Sequence, residues 1–270
     1  KTLSLPIGWE DPFWIIVMGI EHERIHLETS SVLIRQHQLK YVQKHPGWAP
    51  CTESAAAPAN TLVDIPAASF LLGRERSDPK IYGWDNEFGR HYSSISSFLA
   101  SRYLLSNREF LAFVEAGGYA DESLWPEEGA AWKKFAQAEH PTFWVKDGTQ
   151  WRLRLMLEEV AMPWDWPVET NYHEAKAFCN WKAQATGQAV RLPTEDEWQA
   201  LRQFAGVGEL PGDAANIELR NYASSCPVDQ FAHGPLFDVV GNVWQWLETP
   251  IYPFAGFEVH PIYDDFTTPT

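Results

Sequence analysis

The stretch "RLPTEDEWQALRQFA" (residues 191–205) predicts a helix with a defined start. Thr194 precedes Glu197 by three residues, which is the spacing of a capping box, where each side chain bonds the backbone N–H of the other. Apolar residues then recur at helical spacing. The sequence therefore predicts a capped helix directly after Pro193.

Two further helices are predicted upstream. In "LLSNREFLAFVEAGGY" (104–119), Ser106 or Asn107 is the expected N-cap, and the Gly-Gly pair ends the helix. The stretch "TNYHEAKAFCNWKAQAT" (170–186) predicts another helix, which Gly187 ends. The sequence thus predicts three helices with local start and stop signals between residues 104 and 205.

The remainder of this region predicts short strands and irregular loops. The stretch "TLVDIPAASFLLG" (61–73) is typical of short strands. The chain of 270 residues holds 14 Trp, 19 Pro and 17 Gly, a composition that predicts a loop-rich domain held by large aromatic side chains. The expected fold class is therefore α+β with much irregular structure.

One long helix is predicted near the start of the chain. Asp11 is a suitable N-cap with Pro12 at the first helical position, and helical spacing continues to about Tyr41. The stretch "APCTESAAAPAN" then has small residues, two prolines and no period, as expected of a linker. We therefore predict a helical piece at 1–48, a linker at 49–60 and a mixed domain at 61–270.

Charge and cysteine usage exclude some classes of partner. The net charge of −15 argues against nucleic acid, because binding of phosphates requires a basic face. No apolar run approaches the ~20 residues that a membrane helix needs, so no membrane partner is predicted. The three cysteines are far apart and form no C-x-x-C, which favours a reducing compartment and predicts a cytoplasmic protein.

The stretch "EHERIHLETSS" (21–31) contains a candidate metal-binding pair. His22 and His26 are four residues apart, so on a helix their side chains lie on one face, about one turn apart. Ile15, Met18 and Leu33 share that face, which is expected to point into a helical bundle. Metal binding is favoured over the alternative of hydrogen-bonded core histidines.

The same letters read as H-E-x-x-H, the zinc-protease pattern, in which Glu23 would be the general base. The extended protease pattern fails, because positions 29 and 32 are Thr and Val. A protease is therefore disfavoured. Glu28 lies about 200° round the helix from His26, so we expect it to form an ion pair with Arg24 rather than to be a ligand.

Several stretches resemble known families. "EHERIHLE" resembles the H-x-x-x-H-x-E helix of the DinB-like four-helix bundle of iron-dependent sulfoxide synthases. Five others resemble the formylglycine-generating-enzyme/sulfatase-modifying-factor domain: 84–91, 105–119, 167–181, 191–199 and 239–246. The resemblance implies the end of a DinB-like bundle followed by a loop-rich, C-type-lectin-like domain, with further sequence expected on both sides.

The two ends of the chain, "MGIEHERIHLETSSVLIRQ" (18–36) and "ETPIYPFAGFEVHPIYDDFTTPT" (248–270), resemble the 5-histidylcysteine sulfoxide synthases of ovothiol biosynthesis. This resemblance implies an Fe(II) enzyme with L-cysteine, L-histidine and O2 as substrates. A methyltransferase domain often follows in that family. The ergothioneine-type synthase, which uses trimethylated histidine, is the nearest enzyme alternative. A non-catalytic lectin-like binding module is an alternative from another class.

The resemblance also implies site residues. The family's iron has three histidine ligands; His22 and His26 match two of them, and the third is expected N-terminal to this chain. The active-site tyrosine of the family matches Tyr263 in the segment Tyr263-x-x-Phe266, with Tyr252 as a weaker candidate. The alternative for Tyr263 is a loop tyrosine that covers the core.

The stretch "GNVWQW" carries a structural expectation: Gly241 makes a tight turn, and Trp244 and Trp246 pack in the core. Asp238 and Asn221 are candidates for a calcium site of the kind that this domain sometimes carries.

Formylglycine-generating activity is disfavoured, because Cys179 and Cys226 are not the closely spaced pair that such enzymes use. Six other histidines are predicted to be loop or packing residues: His45, His91, His140, His173, His233 and His260.

Overall fold

A computed structural model describes residues 5–77, 82–208 and 213–264. The chain divides into two compact units, each assembled from separate segments. The first unit comprises Lys1–Leu33, Ala67–Ser96 and Thr249–Thr270. The second unit comprises Ile34–Pro66 and Ser97–Glu248.

Within the described ranges the chain forms five α-helices: α1 (Trp14–Arg35), α2 (Asn107–Glu115), α3 (Glu127–Ala136), α4 (Tyr172–Thr186) and α5 (Glu195–Phe204). The same ranges hold nine short strands: β1 (Leu62–Ile65), β2 (Ala68–Leu72), β3 (His91–Ile95), β4 (Phe98–Ser101), β5 (Trp144–Asp147), β6 (Gln150–Arg154), β7 (Glu159–Ala161), β8 (Ala232–His233) and β9 (Leu236–Phe237). No helix in this part of the chain is both long and apolar enough to cross a membrane.

The three capped helices predicted from the sequence are confirmed. Ser106 is the N-cap of α2 and forms a capping box with Glu109. Thr194 and Glu197 form the capping box of α5, as the spacing predicts. Helix α4 ends at Gly187, whose φ of 67° lies in the left-handed region that favours glycine. Local signals were sufficient here, because each cap involves residues three positions apart or a single glycine.

All strand pairs are antiparallel and short. In the first unit β2 pairs with β3, and in the second unit β1 pairs with β4, β6 lies between β5 and β7, and β8 pairs with β9. The strands predicted in 61–73 are therefore confirmed as β1 and β2.

Aromatic side chains form the core of the second unit, as the composition predicts. The rings of Phe110 and Phe178 stack with centroids 5.6 Å apart, and Phe113 and Trp166 are fully buried in the same cluster. Trp166 also donates its indole N–H to the carbonyl of Glu53, at 2.8 Å. An indole ring can thus bury apolar surface and also donate a hydrogen bond to a backbone carbonyl in an irregular loop.

A smaller cluster of buried residues lies in the first unit: Ile7, Trp14 and Met18, with Tyr82, Trp84 and Tyr263 packed against them. Helix α1 supplies two of the buried members. Its start agrees with the predicted cap, because Asp11 Oδ1 accepts a hydrogen bond from the N–H of Phe13 at 2.8 Å.

Helix α1 is shorter than predicted. It ends at Arg35, and Leu39–Tyr41 forms a separate 3-10 turn. The end of the helix lies in the second unit, where the guanidinium of Arg154 donates to the carbonyls of Ile34 and His37. These bonds satisfy carbonyls that a longer helix would have paired internally.

The expectation that one face of α1 points into a bundle is not confirmed. Six large apolar side chains of the helix are exposed: Ile15, Ile16, Ile20, Leu27, Val32 and Leu33. Among the residues predicted to share the histidine face, Met18 alone is buried.

The prediction that Trp244 and Trp246 pack in the core is wrong: their exposed fractions are 73% and 49%. Polar side chains take the inward positions instead. Gln245 donates to a backbone carbonyl at 2.8 Å, and Asn242 Oδ1 accepts from a backbone N–H at 2.9 Å. The tight turn at Gly241 is confirmed by a φ of 93°.

Candidate functional site

The two predicted metal-binding histidines lie side by side on helix α1. The ring centroids of His22 and His26 are 4.4 Å apart, with the ring planes at 80°. His22 is half-buried and His26 is exposed. Both imidazoles therefore project from one rigid helix. Arg24 of the same helix forms an ion pair with Glu21, at 2.8 Å.

The structure brings Tyr263 next to this pair. Its ring centroid is 5.9 Å from that of His22 and 5.9 Å from that of Trp84. Two residues of the predicted tyrosine segment, Asp265 and Phe266, lie outside the described residues. Tyr252 has other neighbours: its hydroxyl is 3.3 Å from Nε2 of His91. Of the two tyrosine candidates, Tyr263 is the one in ring contact with a predicted ligand.

Tyr82 is a site residue that the sequence analysis missed. It packs beside Trp14, with ring centroids 5.7 Å apart, in the cluster that also contains Trp84 and Tyr263. Its hydroxyl is buried and has no hydrogen-bond partner among the described residues. Burial raises the pKa of Tyr82, and the carboxylates of Glu21 and Glu87 raise it further. The phenol thus stays protonated and can donate. Its position in "YGWDNE", two residues before a quoted motif, was the available signal.

Two imidazoles fit part of a metal site. Neutral imidazole nitrogens suit Fe(II), Zn(II) and other first-row metals, so His22 and His26 fit two positions of such a site. The described ranges contain no group of three or more His, Cys, Asp or Glu residues that could hold a metal ion. Glu23, the base of the disfavoured protease alternative, is exposed.

The calcium prediction for Asp238 and Asn221 stays a prediction. Asp238 is fully buried, and its Oδ2 accepts a hydrogen bond from the amide of Asn242 at 2.9 Å. Burial raises the pKa of Asp238 to about 7. Asn221 turns its amide N–H to the carbonyl of Ala215, at 2.7 Å. Both side chains therefore have roles inside the second unit without a cation.

All three cysteines are unpaired thiols in buried positions. Burial raises the pKa of Cys179 to about 11, and it also raises the pKa values of Cys51 and Cys226. A thiol held protonated is a poor nucleophile and a poor metal ligand. The cysteines are therefore packing residues of the second unit.

The architecture is shared with a solved structure. PvdO from Pseudomonas aeruginosa matches with a TM-score of 0.52 over 78% of both chains, at 19% sequence identity. The two proteins thus belong to one class, the loop-rich mixed α/β fold. Residues 49–256 match the family described as "Sulfatase-modifying factor enzyme 1-like domain". Because the match covers most of the chain, the chain belongs to this family.

The chain is similar in sequence to two named enzymes. A hercynine oxygenase from Mycolicibacterium smegmatis is 30% identical over 280 residues, which is 96% of this chain and 61% of the relative. A formylglycine-generating enzyme from Mycobacterium tuberculosis is 28% identical over 244 residues, covering 71% of this chain and 75% of the relative. The chain thus spans about three-fifths of the length of the hercynine oxygenase.

Proposed function

We propose that this chain is part of an iron- and O2-dependent sulfoxide synthase that joins L-cysteine to L-histidine. The observation that carries the proposal is the grouping of His22, His26 and Tyr263 in the first unit. Similarity to a hercynine oxygenase across nearly the whole chain supports oxidative chemistry of this kind. The resemblance of the two ends of the chain to the ovothiol enzymes favours histidine as the acceptor.

The proposed reaction balances without an external reductant. The thiol R–SH, the imidazole C–H and O2 give the sulfoxide conjugate R–S(O)–imidazole and water. The thiol sulfur and the ring carbon are oxidised, and O2 is reduced. The competing reaction, R–SH and O2 to the sulfinic acid R–SO2H, consumes the same O2 but releases no water. The site must therefore control which of two oxidations of one thiol occurs.

Iron, when bound, would supply a redox-active centre to which a thiol and O2 can both be directed. In this proposal the imidazoles of His22 and His26 hold it, and the third donor comes from outside the described residues. His26 is exposed, so small molecules can reach its ring from solvent. Holding both substrates side by side removes the entropic cost of bringing them together for C–S bond formation.

Tyr263 is proposed to hold and donate a proton at its phenol oxygen. Its half-buried ring contacts the rings of His22 and Trp84, so a substrate bound at the histidines would lie close to the tyrosine. Donation of a proton to one reacting oxygen would favour its release as water, which is the step that separates the two outcomes.

The test is an O2-consumption assay of the intact protein with Fe(II), cysteine and either histidine or trimethylated histidine, followed by mass spectrometry of the products. A histidylcysteine sulfoxide formed from histidine supports the proposal. If a conjugate forms with trimethylated histidine but not with histidine, the ergothioneine-type synthase is the correct alternative. If neither substrate gives a conjugate and O2 uptake does not exceed the iron-only control, the proposal of a synthase is wrong.

A further inference from the structure

His260 lies three residues before Tyr263 and is 1% exposed. Both of its ring nitrogens face backbone groups. Nε2 is 3.2 Å from the carbonyl oxygen of Trp9, and Nδ1 is 3.2 Å from the N–H of Ile262. Because a carbonyl only accepts and an amide only donates, the proton of the ring must sit on Nε2, and Nδ1 must be the acceptor. Neither nitrogen is left to bind a metal or a substrate.

The backbone groups and the ring faces of His260 also have defined contacts. Its backbone N–H donates to Oδ2 of Asp85, at 3.2 Å, and its carbonyl accepts the N–H of Tyr263, at 3.1 Å. Its ring stacks on Trp14, with centroids 3.6 Å apart and an interplanar angle of 8°. The edge of Trp9 closes a further side, at 4.4 Å. The ring is therefore fixed by aromatic packing and by hydrogen bonds.

Two of these bonds close the turn that carries Tyr263. Pro261 has no N–H to contribute, and a residue before proline is disfavoured from the helical conformation. Two groups of His260 hold the turn instead. Its imidazole Nδ1 accepts the N–H of Ile262, and its backbone carbonyl accepts the N–H of Tyr263. The orientation of the tyrosine thus depends on an imidazole acceptor three residues earlier.

We propose that His260 is a positioning residue for Tyr263: its Nδ1 bond to Ile262 sets the turn that presents the Tyr263 phenol to His22. The inference rests on the proposed role of Tyr263 in the synthase. It differs from a packing role, in which His260 would only fill space between Trp9 and Trp14. Packing depends on the size of the side chain, whereas positioning depends on which ring nitrogen is replaced.

Two substitutions separate these roles in the intact protein. In His260→Asn the amide oxygen can replace Nδ1 as the acceptor, but the donor to Trp9 is lost. In His260→Gln the amide nitrogen can replace Nε2 as the donor, but the acceptor for Ile262 is lost. Each protein is prepared with 3-fluorotyrosine, and the fluorine resonance of Tyr263 is assigned by its absence in Tyr263→Phe. The rings of His22 and Trp84 make this resonance sensitive to orientation.

We expect the Tyr263 resonance to stay near the wild-type position in His260→Asn and to move towards that of free fluorotyrosine in His260→Gln. The ratio of sulfoxide to sulfinic acid should fall roughly two- to tenfold in His260→Gln alone, the factor associated with one hydrogen bond. Ile7→Val is the matched control, because it loosens the same cluster but removes no hydrogen-bonding group of the turn.

Equal displacement of the resonance in both His260 variants, or a displacement no larger than in Ile7→Val, would show a packing role and overturn the inference. The resonance needs no turnover. If the wild type forms no conjugate, the proposed function fails, while the fluorine measurement still decides whether His260 orients Tyr263.

Discussion

The imidazoles of His22 and His26 meet edge to face, with their ring centroids 4.4 Å apart. Both rings project from helix α1, so their separation is set by helix geometry rather than by a flexible loop. Under the proposed function, two nitrogen donors on one rigid element would give a metal two adjacent positions with little loss of side-chain freedom.

We predict that His22→Ala or His26→Ala removes most of the bound iron from the intact protein and abolishes conjugate formation. Loss of one neutral ligand from a site of three leaves too few donors to hold a divalent cation firmly. Metal content after reconstitution and desalting measures the effect. Wild-type metal content in both variants would show that the pair is not a ligand pair.

Glu28→Gln is the matched control on the same helix. Glu28 lies away from the histidine face, so we expect iron content and product yield close to those of the wild type. A loss of iron equal to that of the histidine variants would instead place Glu28 among the ligands.

Tyr263→Phe should keep iron and cysteine binding but shift the product from the sulfoxide conjugate towards cysteine sulfinic acid, because the proposed proton donor is lost. Quantification of both products by mass spectrometry measures the ratio. An unchanged ratio would remove Tyr263 from the chemistry.

Tyr82→Phe provides the comparison for that experiment. The Tyr82 hydroxyl is buried without a partner among the described residues, so its removal should leave the free energy of unfolding unchanged or slightly raised. The product ratio is expected to remain that of the wild type. A product shift in Tyr82→Phe but not in Tyr263→Phe would assign the proton-donating role to Tyr82.

A pH dependence of stability is predicted for the second unit. Glu174 is buried and accepts a hydrogen bond from the Tyr119 hydroxyl, at 2.6 Å, and burial raises the pKa of Glu174 to about 7. In the unfolded chain its pKa is about 4.3. The folded state therefore binds the proton more tightly, and the free energy of unfolding falls as pH rises from about 4.3 to about 7. The loss from this group is roughly 4 kcal/mol.

Asp238 contributes in the same direction, because burial raises its pKa to about 7 as well. Glu174→Gln should therefore reduce the slope of unfolding free energy against pH by about half, and Asp238→Asn should remove much of the remainder. Urea denaturation between pH 5 and pH 8 gives the slope. A slope unaffected by Glu174→Gln would mean that this carboxyl titrates alike in the folded and unfolded chain.

The sequence was most informative where structure is determined locally. The caps of α2 and α5 involve residues three positions apart, and both were predicted. The end of α1 was not, because Arg154, far along the chain, satisfies the carbonyls of Ile34 and His37. The inward turn of Gln245, which leaves Trp246 half-exposed, likewise depends on backbone groups that periodicity does not reveal.

The candidate site could likewise be predicted only in part. The spacing of His22 and His26 predicted that they would be neighbours, and the resemblance pointed to Tyr263. Two of its neighbours were not predicted: no pattern singled out Tyr82, and His260 was predicted to be a loop or packing residue. The surroundings of each depend on residues distant in sequence, such as Trp9 for His260, which no local pattern encodes.

The buried cysteines have a consequence for any chemistry with substrate thiols and oxygen. The thiols of Cys51, Cys179 and Cys226 have raised pKa values, so very little thiolate is available at neutral pH. Free cysteine in solution is therefore the more oxidisable sulfur by far. The native thiols are accordingly slow to form mixed disulfides or sulfenic acid. A thiol-specific label should accordingly react with an engineered surface cysteine in preference to the native three.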